Sequence, residues 1–140
     1  MVKIFFNMLF EDDVIDSVIK YLENKNYTIR HHSSATEHGY DLVAESDAGV
    51  TLIIEAKGQT SSMKGTNRYG KEFSPSQKND HVPKAVFKAM QTQVKEGTEI
   101  GIALPSDQGH TKLVNSVYSS LKKLGVRVFF VEGNGNVIEK

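Results

Sequence analysis

The sequence contains no cysteine. This absence excludes disulfide bonds, zinc sites with thiolate ligands and a cysteine nucleophile, and it fits a reducing compartment. No N-terminal stretch combines a basic region, an apolar run and a small-residue cleavage site, and the interrupted apolar run over residues 2–10 is too short to span a membrane. We therefore expect a soluble, cytoplasmic protein with no membrane contact.

Several common active-site signatures are also missing. The chain has no Gly-x-Ser-x-Gly elbow, no phosphate-binding Gly-Lys-Ser/Thr loop and no dinucleotide fingerprint. The spacing of the histidines matches no compact zinc pattern. These histidines are His31, His32, His38, His81 and His110. The sequence therefore disfavours a zinc site and the hydrolase or nucleotide-binding classes that those signatures mark.

The net charge is zero, but the two signs are unevenly distributed along the chain. Residues 1–55 carry 4 basic and 10 acidic side chains, whereas residues 56–95 carry 8 basic and 2 acidic ones. A basic middle beside an acidic start suits a polyanion-binding surface next to a carboxylate-rich metal site. Chance clustering on solvated faces is the simpler alternative.

The pattern of apolar residues predicts an α/β fold in a single domain over residues 1–140. The predicted elements are a helix over 12–22, strands over 27–31, 40–45 and 50–57, a helix whose apolar face spans 82–90, a strand over 99–104, a helix over 111–124, a strand over 126–132 and a short edge strand over 137–138. The first strands are close enough to form antiparallel hairpins, and the two that flank the last helix should be parallel. We expect a mixed sheet flanked by helices.

The prediction also includes two loops, the place of one proline and the inward-facing residues of two helices. Residues 58–75 are polar and lack periodicity, which predicts a long loop. Pro83 is expected in the first turn of the second helix or at a kink, and residues 105–109 are expected to form a loop. The residues expected to face inward are Val82, Ala85, Val86, Ala89 and Met90 in the second helix, and Leu113, Val114, Val117, Tyr118, Leu121 and Leu124 in the third.

The hairpin of the second and third strands holds the strongest candidate site. If its turn is centred on Ala48, Asp41 lies directly opposite Glu55, and Lys57 shares their face. Directly opposed residues place their Cβ atoms ~4.5–5.5 Å apart, so the two anions would repel each other unless a cation compensated them. Oxygen ligands of this kind suit Mg²⁺, to which the carbonyl of Ala56 could add, and a metal-bound water becomes a nucleophile that Lys57 could orient. The alternative is an ordinary hairpin with a solvated charged face.

These residues resemble a known family. Gly39-Tyr40-Asp41, with Glu55-Ala56-Lys57 beginning fourteen positions after Asp41 on an apolar strand, is similar to the motif of the PD-(D/E)XK nuclease superfamily, which has the restriction-endonuclease-like fold. The core of that fold is α-β-β-β-α-β, so residues after 104 would form a C-terminal α-β extension. The resemblance implies that Asp41 and Glu55 bind Mg²⁺ or Mn²⁺ and that Lys57 assists the attacking water. Tyr40 stands where the family has proline, a loosely kept position.

Members of the family often add an acid from the first helix, and Glu11 is the candidate here because residues 11, 14, 15 and 18 share one helical face. Its alternative role is to complement the helix dipole as an acid of the first turn. Gln77 could complete the site from the second helix. Candidates for contact with nucleic acid are Gln59, Lys64, Arg68, Lys71, Lys78 and Lys84. Each of these polar residues could instead be an ordinary surface or loop side chain.

The sequence leaves three functions open. The first is a Mg²⁺-dependent deoxyribonuclease that hydrolyses phosphodiester bonds, with DNA as its partner and with a homodimer or partner subunit to extend its reach. The second is a catalytically silent module on the same fold that binds nucleic acid or protein. The third is an immunity or accessory subunit, which the zero net charge allows. Intact Asp41, Glu55 and Lys57 favour the nuclease, since a pure binder gains nothing from opposed acids near a phosphate.

Overall fold

The computed structural model describes residues 8–33, 39–59, 75–92 and 96–140, which form three helices and six strands. The helices are α1 (Glu11–Glu23), α2 (Pro75–Gln91) and α3 (Gln108–Lys123). The strands are β1 (Thr28–His32), β2 (Leu42–Glu45), β3 (Thr51–Ala56), β4 (Thr98–Pro105), β5 (Val126–Val131) and β6 (Val137–Glu139). The order confirms the predicted α-β-β-β-α-β core with its C-terminal α-β extension, followed by the short edge strand.

All six strands belong to one mixed sheet in the order β1-β2-β3-β4-β5-β6. The β1–β2 and β2–β3 pairs are antiparallel, the β3–β4 and β4–β5 pairs are parallel, and β6 returns antiparallel to β5. The predicted hairpins and the parallel pair around the last helix are therefore confirmed. The helices α2 and α3 are the crossover connections that parallel neighbours require.

Each face of the sheet is covered by its own helical layer, because strand side chains alternate between faces. On one face, α1 packs Val14, Ile15, Val18 and Leu22 against alternate residues of β2 and β3, which are Leu42, Ala44, Leu52, Ile54 and Ala56. On the other face, α2 and α3 cover Ile100, Ile102 and Leu104 of β4 together with Val126 and Val128 of β5. None of the helices in the described ranges combines the length and apolar character that a bilayer crossing requires.

Two helix starts differ from the prediction. The helix α2 begins at Pro75, so Pro83 lies well inside it rather than in its first turn. Proline suits the first position of a helix because its fixed φ is pre-organised and its missing N–H is not needed there. The helix α3 begins at Gln108 rather than at residue 111, because Oδ1 of Asp107 accepts a hydrogen bond of 2.9 Å from the backbone N–H of His110 and caps the helix.

The inward face predicted for α2 and α3 is only partly correct. Val82, Ala85, Ala89, Val114 and Leu121 are buried as expected. Three residues predicted to face inward are instead exposed, namely Met90, Val117 and Leu124. Together with exposed Phe87 they border a groove of about 510 Å³ between the two helices. The prediction was wrong there because the facing apolar residues of α2 and α3 leave this groove open rather than meeting across it.

Candidate functional site

The hairpin of β2 and β3 has the register that the sequence predicted. Leu42 pairs with Ile54 and Glu45 pairs with Thr51, so the turn is centred on Ala48. Continuing this register by one residue brings Asp41 beside Glu55. The backbone N–H of Ala56 donates a hydrogen bond of 2.9 Å to Oδ2 of Asp41, which is 8% exposed. The carboxylate of Asp41 thus replaces a backbone acceptor where β2 begins.

Glu55 lies near the carboxyl end of β3, on the face that α2 covers, and is 3% exposed. Its Oε2 atom lies 3.3 Å from Nζ of Lys88. Its Oε1 atom is buried, and no donor among the described residues reaches it. The pKa of Glu55 is raised to about 7, first by burial and then by the charge of Asp41, while Lys88 opposes the rise. Glu55 therefore has a buried carboxylate oxygen that meets no described donor, and the charge of Asp41 acts on the same carboxylate.

Glu11 joins the site from the opposite layer, as the first residue of α1. The pKa of Glu11 is raised to about 7, first by burial and then by the charge of Asp41, while the charge of Lys57 acts in the opposite direction. Glu11 therefore lies within electrostatic range of Asp41, Glu55 and Lys57, and its role in the site stays a prediction. Asp13 is exposed, and its Oδ2 atom accepts a hydrogen bond of 2.9 Å from the backbone N–H of Phe10.

Lys57 follows β3 and is half-buried. Its backbone N–H donates a hydrogen bond of 3.0 Å to the carbonyl of Ala103, which holds the end of the motif against β4. Burial lowers the pKa of His81 on α2, and the charge of Lys57 lowers it further, followed by the charge of His110. The charge of Lys57 therefore acts on both Glu11 and His81.

The donor set can be compared with the metal that the family resemblance implies. Asp41, Glu55 and the carbonyl of Ala56 offer oxygen ligands only, which suit Mg²⁺ or Mn²⁺. The buried Oε1 of Glu55, which no described donor reaches, is an oxygen that a cation could bind. Within the described ranges, no group of three or more His, Cys, Asp or Glu side chains is arranged to hold a metal ion. Asp41, Glu55 and the carbonyl of Ala56 could therefore hold such an ion only if water completed its coordination.

Gln59 lies next to the site but makes internal contacts with its side-chain amide. Its Oε1 atom accepts a hydrogen bond of 2.9 Å from the backbone N–H of Leu9, and its Nε2 atom donates one of 3.2 Å to Oδ2 of Asp107. Contact between Gln59 and nucleic acid therefore stays a prediction. The described contacts show that its side chain links Leu9 to Asp107.

The other predicted binding residues are spread over α2 and the segment before it. Gln77 is half-buried in the first part of α2, Lys84 is exposed on the same helix, and Lys78 belongs to it as well. Lys64, Arg68 and Lys71 lie outside the described residues, as does most of the loop predicted over 58–75. Their contact with nucleic acid remains a prediction.

Sequence reasoning missed two residues of the site. Lys88 donates a hydrogen bond of 3.2 Å to the carbonyl of Gly39 in addition to its ion pair with Glu55. Its signal was its spacing, because residues 77, 81, 84 and 88 recur at helical intervals along one side of α2. The second is Gly58, where a Cβ atom would lie 2.5 Å from the backbone nitrogen of Glu11. The signal there was a glycine directly after the Glu-x-Lys motif.

Comparison with known proteins identifies the fold. No family model matches the sequence, and neither does any curated protein. An FdxN element excision controlling factor protein from Anabaena variabilis superposes with a TM-score of 0.54 at 12% identity, covering 91% of this chain and 96% of that one. An XisH family protein from Nostoc punctiforme gives a TM-score of 0.51 at 12% identity, covering 90% and 96%. The likeness establishes a shared α/β fold with a six-stranded mixed sheet flanked by helices.

Proposed function

We propose that this protein is a metal-dependent nuclease that hydrolyses phosphodiester bonds of DNA. The observation that carries the proposal is the buried pair of Asp41 and Glu55, the second of which lies two residues before Lys57 in the chain. Folding places two acids together where one oxygen meets no described donor, at a cost in stability that a structural role does not explain. The same residues form the Asp and Glu-x-Lys motif of the PD-(D/E)XK superfamily.

Each residue has a role that follows from its position. Asp41 and Glu55, with the carbonyl of Ala56, would hold Mg²⁺ or Mn²⁺. The bound ion would lower the pKa of a water molecule and neutralise charge on the phosphate. Lys57, half-buried at the end of β3, would orient the attacking water and stabilise the charge that develops on the phosphate oxygens. Glu11 adds a third carboxylate that approaches the same place from α1.

The structural neighbours add support of a general kind. One of them is described as an element excision controlling factor, and the other as an XisH family protein. Excision of an element is a process that acts on DNA, which agrees with a DNA substrate for this chain. The proposal includes a cytoplasmic location. It also includes a homodimer, because a chain of 140 residues offers a small surface for holding a duplex.

One observation favours a second candidate function. Lys88 already neutralises part of the charge of Glu55 from within the protein. A catalytically silent module could use this internal ion pair in place of a metal and could bind nucleic acid or protein through the basic side chains of α2. Metal binding distinguishes the two candidates, because the silent module would show none.

The test is cleavage of plasmid, linear, single-stranded and branched DNA in Mg²⁺ or Mn²⁺, with Lys57→Ala and Asp41→Asn as variants. Cutting that needs metal and is lost in both variants would support the nuclease. Calorimetric titration with Mn²⁺ measures metal binding separately from cutting. Absence of cutting on every substrate, together with absence of metal binding in the parent protein, would overturn the proposal in favour of a silent module.

A further inference from the structure

The start of α1 is tied to the end of β3 by two hydrogen bonds between Leu9 and Gln59. The backbone N–H of Gln59 donates to the carbonyl of Leu9 at 2.7 Å, and the backbone N–H of Leu9 donates to Oε1 of Gln59 at 2.9 Å. Leu9 is buried and lies two positions before Glu11. Gln59, three residues after the end of β3, thus bonds to both the N–H and the carbonyl of Leu9, two residues before the helix.

The amide of Gln59 is held in turn by Asp107, the cap residue of α3. Its Nε2 atom donates to Oδ2 of Asp107 at 3.2 Å, and the same oxygen lies 2.7 Å from Nδ1 of His110. The other oxygen of Asp107 accepts from the backbone N–H of His110 at 2.9 Å. Because His110 is fully buried, Asp107 is fixed by the start of α3 and in turn orients the amide of Gln59.

Gly58 allows this contact to be close. A Cβ atom at this position would lie 2.5 Å from the backbone nitrogen of Glu11 and 2.8 Å from the carbonyl carbon of Phe10. Both neighbours are backbone atoms, which cannot move aside as a flexible side chain would. The first residue of α1 therefore rests directly on the chain that follows Lys57, and the distance between Glu11 and the motif is set by backbone contact.

We propose that Leu9, Gln59 and Asp107 form a clamp that positions Glu11 in the acidic site. The proposal rests on the nuclease function proposed above and assigns Gln59 and Asp107 as positioning residues. The first turn of a helix is the part that frays, and a misplacement of about 1 Å at a reacting centre can cost on the order of 100-fold in rate. The clamp prevents such a displacement by fixing the residue before the helix to two other elements, β3 and α3.

The first experiment combines Gln59→Ala with Glu11→Gln in a double-mutant cycle of Mn²⁺-dependent cutting. If Gln59 acts through Glu11, Gln59→Ala lowers kcat by roughly 10-fold or more, and the double variant is no slower than Glu11→Gln alone. Val126→Ala, a core truncation at the opposite end of the sheet, is the control for general loss of stability and should leave kcat unchanged well below its Tm. Gln59→Met, which keeps the length of the side chain without its hydrogen bonds, replaces Gln59→Ala if that variant does not fold.

The second experiment does not depend on cutting. Amide hydrogen exchange of Val14, whose N–H donates to the carbonyl of Phe10, and of the next turn of α1 is measured without metal. It should become at least several-fold faster in Gln59→Ala and stay at the parent rate in Val126→Ala. Effects of Gln59→Ala and Glu11→Gln that multiply independently would overturn the clamp, as would unchanged exchange at the start of α1. If the parent protein neither cuts DNA nor binds Mn²⁺, the nuclease proposal fails by itself, and hydrogen exchange still decides whether the clamp holds α1.

Discussion

The backbone N–H of Ala56 donates a buried hydrogen bond of 2.9 Å to the carboxylate of Asp41. Asp41 therefore has two functions that one substitution can separate. As an acceptor it satisfies a buried N–H at the end of the β2–β3 ladder. As an anion it lies beside Glu55 and would supply a ligand oxygen for the proposed metal. The first function needs an oxygen atom, and the second needs a negative charge.

Asp41→Asn should keep the hydrogen bond with the N–H of Ala56 but lose the negative charge, whereas Asp41→Ala should lose both. An asparagine can present its Oδ1 atom to the N–H of Ala56, but alanine leaves that buried donor without a partner, which costs about 1–3 kcal/mol. We expect the free energy of unfolding, from urea titration in a chelator, to fall in Asp41→Ala by this amount and to be near the parent value in Asp41→Asn. Equal losses in the two variants would contradict the assigned role of the hydrogen bond.

In the metal-free protein, Glu11 and Glu55 should contribute less to stability at alkaline than at mildly acidic pH. The pKa of each rises from 4.5 to about 7 on folding, with burial as the first cause and the charge of Asp41 as the second. The folded state therefore binds more protons than the unfolded state between these values. The stability that these protons contribute is complete below pH 4.5 and is lost as the pH rises through about 7.

Glu55→Gln should weaken this pH dependence. The neutral amide removes one of the opposed charges, so we expect the metal-free variant to be more stable than the parent at about pH 8, by ~1–3 kcal/mol, and close to it at about pH 5. Urea midpoints in a chelator at the two pH values measure this. Addition of Mn²⁺ at the higher pH should stabilise the parent and leave the variant unchanged. A variant that is less stable than the parent at both pH values would show that burial does not penalise the charge of Glu55.

Lys88→Met should lower stability at alkaline pH, whereas Glu55→Gln should raise it. Its Nζ atom lies 3.3 Å from Oε2 of Glu55, so its removal leaves a buried carboxylate without its internal cation. Because the lysine side chain is itself half exposed, we expect a loss of about 1 kcal/mol at alkaline pH, which disappears where Glu55 is protonated. Lys84→Met, an exposed position on the same helix, is the matched control and should show no such pH dependence.

Arg127 should matter far more for stability than Arg30, although both are paired with glutamate. Arg127 bonds both carboxylate oxygens of Glu139 at 2.7 and 2.9 Å and the hydroxyl of Tyr27 at 3.0 Å, and its side chain is 25% exposed. The side chain of Arg30 in its pair with Glu45 is 59% exposed. We expect Arg127→Ala to cost about 2–3 kcal/mol and Arg30→Ala less than about 1 kcal/mol in urea unfolding. Similar losses in both variants would contradict this ranking.

The sequence could predict the β2–β3 hairpin because its information is local. Alternation of apolar residues decides which side chains share a face, and a short turn around Ala48 sets the register. A slip by one residue would have moved Glu55 to the α1 face, and so the apolar pattern and the turn had to agree. The order of helices and strands was predictable for the same reason, since each element carries its own periodicity.

Helix starts and the α2–α3 groove were less predictable. The first part of α2 is polar and shows no apolar stripe, so its start at Pro75 is not visible in the hydrophobic pattern. The start of α3 depends on the cap by Asp107, which lies in a segment that reads as a loop. Exposure of Val117 and Leu124 depends on how far apart two helices lie, and neither helix encodes that distance alone.

The sequence by itself determined the element order, the register of the hairpin and the pairing of Asp41 with Glu55 beside Lys57, because each depends on residues near one another in the chain. Only the tertiary structure decided which distant residues complete the site. Lys88 reaches Glu55, Gln59 binds Leu9, and Asp107 binds Gln59 across separations of 50 and 48 residues in the last two cases. Contacts of this kind form only when both helical layers pack on the sheet, so burial of the two cores, rather than any local pattern, brings these side chains together.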